Sequence, residues 1–107
     1  MLTLAHFALE YGFDTVRLNV RTCGGTEHLS PTLYHSGLTE DLRSVVQQLA
    51  PQRVFLAGFS MGGNMALKLA GEWGADFPDH VVGVGAVSAP IRLADCSRRI
   101  GERRNWV

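Results

Sequence analysis

Hydrophobic residues along the chain follow two different spacings, one typical of helices and one typical of strands. A one-sided stripe with intervals of three and four residues predicts a helix that Pro51 ends; it comprises Leu38, Leu42, Val45, Val46 and Leu49. Residues 2–10 predict a shorter helix that stops at Gly12, and the small and apolar residues of 61–72 predict another.

Three apolar segments predict strands. Residues 15–20 are rich in β-branched side chains, and residues 53–57 form a short apolar run. Residues 81–87 are continuously apolar, which is typical of a strand buried on both faces, and residues 88–90 close that strand. A glycine- and proline-containing loop over 21–36 follows the first strand. The alternation of helix and strand predicts a parallel sheet with helices on both faces.

The second strand runs directly into the motif Gly-Phe-Ser-Met-Gly, residues 58–62, and then into the third helix. A G-x-S-x-G sequence between a strand and a helix is typical of a nucleophile elbow. Its serine sits on a sharp turn, and the flanking glycines are expected to prevent clashes with strand and helix. The motif predicts Ser60 as a nucleophile and the backbone N–H of Met61 as one oxyanion-hole donor.

The glycines also allow other interpretations. The pentapeptide also arises by chance, and glycines after a strand can simply form a tight turn. Gly58 and Gly63 have the spacing of a phosphate-binding loop, but Asn64 occupies the position of its lysine. Gly83 and Gly85 begin a dinucleotide-binding pattern whose third glycine is replaced by Ser88. Neither nucleotide-binding motif is therefore predicted.

The amino-acid composition argues against several classes of protein and binding site. The 107 residues are 46% hydrophobic and 19% charged, which is typical of one globular domain or a piece of one. Ten basic and ten acidic residues cancel, so no nucleic-acid partner is expected. The two cysteines, Cys23 and Cys96, make neither a disulfide framework nor a metal site. No signal peptide or membrane span is predicted, so a cytoplasmic location is the expectation.

Several segments together make the chain resemble the YheT-like branch of the α/β-hydrolases; they are residues 19–27, 33–37, 39–42, 58–64 and 88–91. This resemblance implies that residues 1–107 are a single incomplete domain, a partial α/β-hydrolase fold. Residues 15–20, 54–57 and 81–87 would be the family's strands 4, 5 and 6. Strand 3, which the family places between strands 4 and 5, the C-terminal strands and the remaining catalytic residues would lie outside the chain.

The resemblance also implies chemistry. Ser60 would form an acyl-enzyme with a carboxylic ester or acyl-lipid substrate, without metal or cofactor, assisted by a histidine beyond this chain. Our residue analysis agrees that no base is supplied here: His80 lies at the wrong edge of the sheet, and His6 lies on an apolar helix. His28 and His35 leave the correct edge, but loop structure is the favoured role for both. Asp95 is expected on a solvated surface.

Two further side-chain groups have alternative roles. Cys23 could be reactive, but a small packed side chain is the favoured interpretation. The basic residues at positions 98, 99, 103 and 104 could meet anionic lipid, but the solvated face of a helix is favoured.

Three functional hypotheses follow. The first is a piece of a serine esterase or lipase that turns over little by itself, because its strand edges are unpaired. The second is a non-catalytic module that docks on another polypeptide or self-associates through those edges. The third keeps the serine but transfers the acyl group to an alcohol. Membrane association and oligomeric state are left open.

Overall fold

The computed structural model describes residues 2–102. Its regular elements have the bounds α1 Leu2–Glu10, α2 Glu40–Leu49, β1 Val54–Phe59, α3 Met61–Trp73, β2 Val81–Val87 and α4 Leu93–Ile100, and they alternate as the sequence predicts only from α2 onwards. Short 3₁₀ helices occupy Glu27–Leu29 and Gly74–Asp76. The helices predicted at 2–10 and 61–72, and the strand predicted at 81–87, are confirmed.

β1 and β2 form a two-stranded parallel sheet, joined by α3. The register pairs Leu56 with Val84 and Phe59 with Val87. Both strands therefore end side by side at one edge of the sheet, which is where ligands bind in open α/β sheets.

The hydrophobic core lies between one face of this sheet and two helices. It comprises Val46 of α2, Leu56 and Val81 of the strands, and Ala66, Leu69 and Trp73 of α3. The stripe on α2 that the sequence analysis identified thus places Val46 in the core with Leu42 packed against it. The predicted α/β class with a parallel sheet is confirmed.

The opposite face of the sheet differs from the prediction. Phe55 is 59% exposed there, and Val82 and Val87 of β2 are exposed as well, so β2 is not buried on both faces. α1 buries no residue, so within residues 2–102 the buried core is confined to the face that α2 and α3 cover. The Phe55 ring lies over β2, where a Cβ atom at Gly83 would come within 2.7 Å of its edge. The glycines of β2 therefore leave room for an aromatic ring.

The prediction of a strand at residues 15–20 is wrong for this structure. These residues belong to no strand, and Val16 is 63% exposed. A strand is defined by backbone hydrogen bonds to a neighbour, and no strand among the described residues lies beside this segment. The β-branched side chains of this segment favour a strand, but residues 2–102 contain no neighbouring strand for it.

Two polar clusters join the loops and helices. Glu72 of α3 accepts hydrogen bonds from Thr39 Oγ1 (2.7 Å) and Arg43 Nη2 (2.9 Å) and pairs with Lys68. Farther along, Arg21 Nε donates to Asp41 at 2.8 Å and connects the loop after residue 20 to the start of α2. In the described part of the chain no helix has the length and hydropathy of a membrane span.

Candidate active site

A single residue, Ser60, separates the last residue of β1 from the first residue of α3. Its backbone has φ 51° and ψ −121°, a conformation that L-residues rarely adopt. This conformation turns the chain abruptly from strand to helix, and Ser60 is exposed. The structure thus places Ser60 on a strained bend at the carboxyl edge of the sheet.

The glycines around Ser60 have different roles. A Cβ atom on Gly58 would lie 2.5 Å from the nitrogen of Gly63, and one on Gly63 would lie 3.0 Å from the carbonyl oxygen of Gly58. Strand and helix therefore approach each other backbone to backbone at these two residues. Gly62 differs from the expectation, because a Cβ atom there would meet nothing within 4 Å. The close approach to Gly58 therefore involves Gly63, which lies outside the pentapeptide, and not Gly62, which lies within it.

Backbone hydrogen bonds hold the bend. The N–H of Ser60 donates to the carbonyl of Val87 at 2.9 Å, and its own carbonyl accepts from the N–H of Asn64 at 3.0 Å. Met61 is the first residue of α3, so its N–H has no acceptor within the helix and belongs to the positive end of the helix dipole. An anion forming beside Ser60 would be stabilised by this helix end.

A second strained turn lies next to the first. Ser88, which follows β2, is exposed and has φ 52°. The chain then folds back over α3: Ala89 contacts the Gly63 position, and the Asn64 side-chain amide donates to the Pro90 carbonyl at 2.9 Å. Our sequence analysis missed Asn64 in this role. Its only signal was a polar residue at a helix position that the apolar neighbours Met65 and Ala66 mark as buried.

His80 and His6 lie on the elements predicted for them, whereas the strand that His28 and His35 were expected to follow is not formed. His80 precedes β2 and contacts the carbonyl of Val46 at 3.1 Å, at the amino end of the sheet and away from Ser60. The exposed His6 forms a contact of 3.3 Å with Glu10, and His35 Nδ1 accepts a hydrogen bond from the N–H of Gly37. His28 is exposed in a 3₁₀ helix. Across residues 2–102 no side chain forms a hydrogen bond with the Ser60 hydroxyl.

The remaining candidates also lie apart from Ser60. Asp95 forms ion pairs with Arg92 and Arg98 on the surface of α4, and Cys23 is a partly buried free thiol. Arg99 also belongs to α4, whereas the predicted basic positions 103 and 104 lie outside the described residues. Metal-ligand clusters are not found among residues 2–102.

The perturbed carboxylates belong to the structural clusters. The Arg21 guanidinium holds the pKa of Asp41 below its usual value by hydrogen bonding to it. Hydrogen bonds from Lys68 and Thr39 lower the pKa of Glu72 to about 2. Both groups connect elements of the fold and lie outside the strained bend.

Comparisons with known proteins agree with this geometry. A family model described as the alpha/beta hydrolase fold matches residues 3–107. The chain is similar to phospholipase ABHD3 of Homo sapiens, with 32% identity over the whole chain and 27% of that relative. It is also similar to YheT of Escherichia coli strain K12, designated an esterase, with 35% identity over 88% of the chain and 28% of that relative. No solved structure matches the chain. The chain thus spans about a quarter of the length of these relatives.

Proposed function

We propose, from the premise that the chain belongs to the alpha/beta hydrolase fold family, that it is the nucleophile-bearing segment of a serine hydrolase acting on carboxylic-ester or acyl-lipid bonds. The observation that carries this proposal is the backbone of Ser60. An exposed serine with φ 51° that joins the end of a parallel strand directly to the first residue of a helix is the arrangement typical of a nucleophile elbow.

The reaction would proceed through an acyl-enzyme. The Ser60 oxygen attacks the ester carbonyl carbon while its proton passes to a histidine base. The carbonyl π pair moves onto oxygen, which accepts a hydrogen bond from the Met61 N–H. The intermediate collapses as the alcohol leaves with the proton from the histidine. Water then hydrolyses the acyl-serine by the same steps, returning the hydroxyl to Ser60 and releasing the acid.

The histidine base is proposed to come from a part of the protein other than residues 2–102. His80 is directed to Val46 at the opposite end of the sheet, and His6 contacts Glu10. A serine without a base is a weak nucleophile. We therefore propose that the 107-residue chain alone turns over little substrate and that activity belongs to a longer polypeptide that carries it.

The proposed substrate class is based on the names of the similar proteins. One is named a phospholipase and the other an esterase, and both names denote enzymes that hydrolyse ester bonds. We propose an ester with an acyl chain as the substrate, with no metal or organic cofactor.

Active-site labelling with a fluorophosphonate probe tests the proposal. The complete polypeptide that carries this segment should be labelled, and Ser60→Ala should abolish labelling. Ser88→Ala is a matched control, because Ser88 is also exposed, has φ 52° and follows the neighbouring strand. Labelling that persists in Ser60→Ala refutes the assignment. Strong Ser60-dependent labelling of the isolated 107 residues would contradict the proposal that the base lies elsewhere.

One observation favours a second function, a docking or self-associating module. The sheet face carrying Phe55 and Val87 is exposed and apolar. Size-exclusion chromatography combined with labelling distinguishes the two functions. A discrete oligomer that the fluorophosphonate labels neither as the isolated chain nor within the complete polypeptide would favour the module.

A further inference from the structure

Asn64 is a polar residue in the buried first part of α3. It is only 9% exposed, and its neighbours Met65 and Ala66 are buried as well. Its side-chain nitrogen donates a hydrogen bond to the Pro90 carbonyl at 2.9 Å. Its other polar atom, Oδ1, has no hydrogen-bond partner among the described residues. Because a buried acceptor without a donor destabilises the folded state, stability alone does not explain an asparagine at this position.

A closed set of hydrogen bonds connects Asn64 to the strained bend. The backbone N–H of Asn64 donates to the carbonyl of Ser60 at 3.0 Å, and the N–H of Ser60 donates to the carbonyl of Val87 at 2.9 Å. The Asn64 side chain closes the set by donating to the carbonyl of Pro90, which follows Val87 in the same segment. The first turn of α3, the bend and the end of β2 therefore form one hydrogen-bonded unit.

The segment that Asn64 holds has no other side-chain hydrogen bond. Ser88 is exposed and Ile91 is 76% exposed, and within residues 2–102 the Asn64 amide is the one side chain that forms a hydrogen bond with residues 87–91. Ser60 has φ 51°, and a strained backbone of this kind persists only where the surrounding structure fixes it firmly. The Asn64 amide therefore supplies one of the fixed points that the bend needs.

From these observations, and resting on the proposed function, we propose that Asn64 is a positioning residue for Ser60. Its side-chain hydrogen bond to Pro90 keeps the carbonyl of Val87 against the N–H of Ser60. That contact in turn holds the bend in the conformation that presents the serine hydroxyl. A reacting group that is misplaced by about 1 Å loses roughly a hundredfold in rate, so a fixed point one helical turn away affects turnover.

The kinetics of Asn64→Leu in the complete polypeptide test the proposal, with an aryl ester as the substrate. Leucine has a similar shape but donates no hydrogen bond. The value of kcat should therefore fall roughly tenfold to a hundredfold, while KM changes little. The melting temperature should also change little, because the substitution removes the unpaired buried oxygen together with the donor. A wild-type kcat in Asn64→Leu overturns the proposal.

Thr39→Val is the matched control. Thr39 is 2% exposed and donates from Oγ1 to Glu72 in the last turn of α3, so valine likewise removes one buried hydrogen bond. This contact lies roughly 18 Å along the helix from Ser60. The control should lower the melting temperature and leave kcat unchanged. An equal fall in kcat in Asn64→Leu and Thr39→Val overturns the proposal, because activity would then follow general stability.

Amide hydrogen exchange provides a measurement that does not depend on activity, and Asn64→Ala replaces Asn64→Leu if leucine prevents folding. In either variant the N–H of Ser60 should exchange faster than in the wild type, whereas that of Leu69 in the core should keep its rate. No acceleration at Ser60, or equal acceleration at both positions, overturns the positioning role. The two proposals fail separately. Hydrolysis that survives Ser60→Ala refutes the serine mechanism, whereas wild-type kcat in Asn64→Leu with Ser60 essential refutes only the role of Asn64.

Discussion

The residues around the strained serine show that a sequence motif and the packing beneath it are not the same constraint. G-x-S-x-G treats its two glycines alike, but Gly58 touches the backbone of α3, whereas a side chain on Gly62 would meet open space. The close approach is completed by Gly63, which lies outside the pentapeptide. The glycines that flank Ser60 therefore differ in how much a methyl group would disturb them.

We expect Gly58→Ala to lower the free energy of unfolding by about 1–3 kcal/mol, since its new methyl group overlaps backbone that cannot rotate away. Gly62→Ala, the matched control, should be neutral or stabilising by up to about 1 kcal/mol, because alanine is the better helix former. Thermal unfolding of both variants checks the difference. Equal destabilisation by the two changes would show that the bend is not packed as described.

Sequence analysis could identify Ser60 at this scale because strand, bend and helix are contiguous. Asn64 and Ser88 could not be assigned in the same way. Their roles depend on contacts between α3 and the turn after β2, such as that from Asn64 to Pro90 across 26 positions. Local spacing carries no information about such a contact.

At the scale of elements, one carboxylate connects α2 and α3. Glu72 accepts hydrogen bonds from Thr39 and Arg43, and Thr39 is almost fully buried. Lys68 pairs with the same carboxylate from one turn away on α3. The cluster favours the ionised form, and the pKa of Glu72 falls from 4.5 to about 2.

This shift predicts a pH dependence of stability. Because the folded-state pKa of Glu72 is depressed, its contribution is fully present above about pH 4.5 and is lost as the pH falls towards 2. The wild-type protein should therefore have a higher melting temperature than Glu72→Gln at pH 6, and this difference in melting temperature should shrink as the pH falls from 4.5 to 2. Melting curves across that range measure it, with Glu27→Gln on an exposed 3₁₀ helix as control. A difference that stays constant with pH would contradict the role of ionised Glu72.

Hydrophobic periodicity predicts some of these elements correctly and others incorrectly. α2 and β2 were predicted because their apolar spacing reflects one buried stripe or one continuous run. Residues 15–20 have the composition of a strand, but strand formation also requires a neighbour, which composition does not encode. In the same way, the run of β2 indicated two buried faces, whereas Val82 and Val87 are exposed in the structure.

For the whole molecule, surface area is the informative quantity. The accessible surface is 8001 Å² for a mass of 11.7 kDa, whereas a compact monomer of this mass would expose roughly 5,900 Å². The radius of gyration, 15.4 Å, likewise exceeds the roughly 13 Å expected for a compact domain of this length. Large hydrophobic side chains contribute to this exposed surface, and some of them lie on the sheet face centred on Phe55. Exposed apolar surface of this kind favours association.

We therefore expect the isolated 107-residue chain to self-associate through this sheet face. Phe55→Lys places a charge at its centre and should lower the apparent mass measured by light scattering after size-exclusion chromatography. Leu29→Lys introduces the same charge at another exposed position, in the 3₁₀ helix before α2, and should change the mass little. A monomeric wild type would refute the expectation, and equal effects of the two variants would point to general charge repulsion. A mass that falls only with Phe55→Lys would identify the uncovered face of the sheet as the surface through which copies of the chain associate.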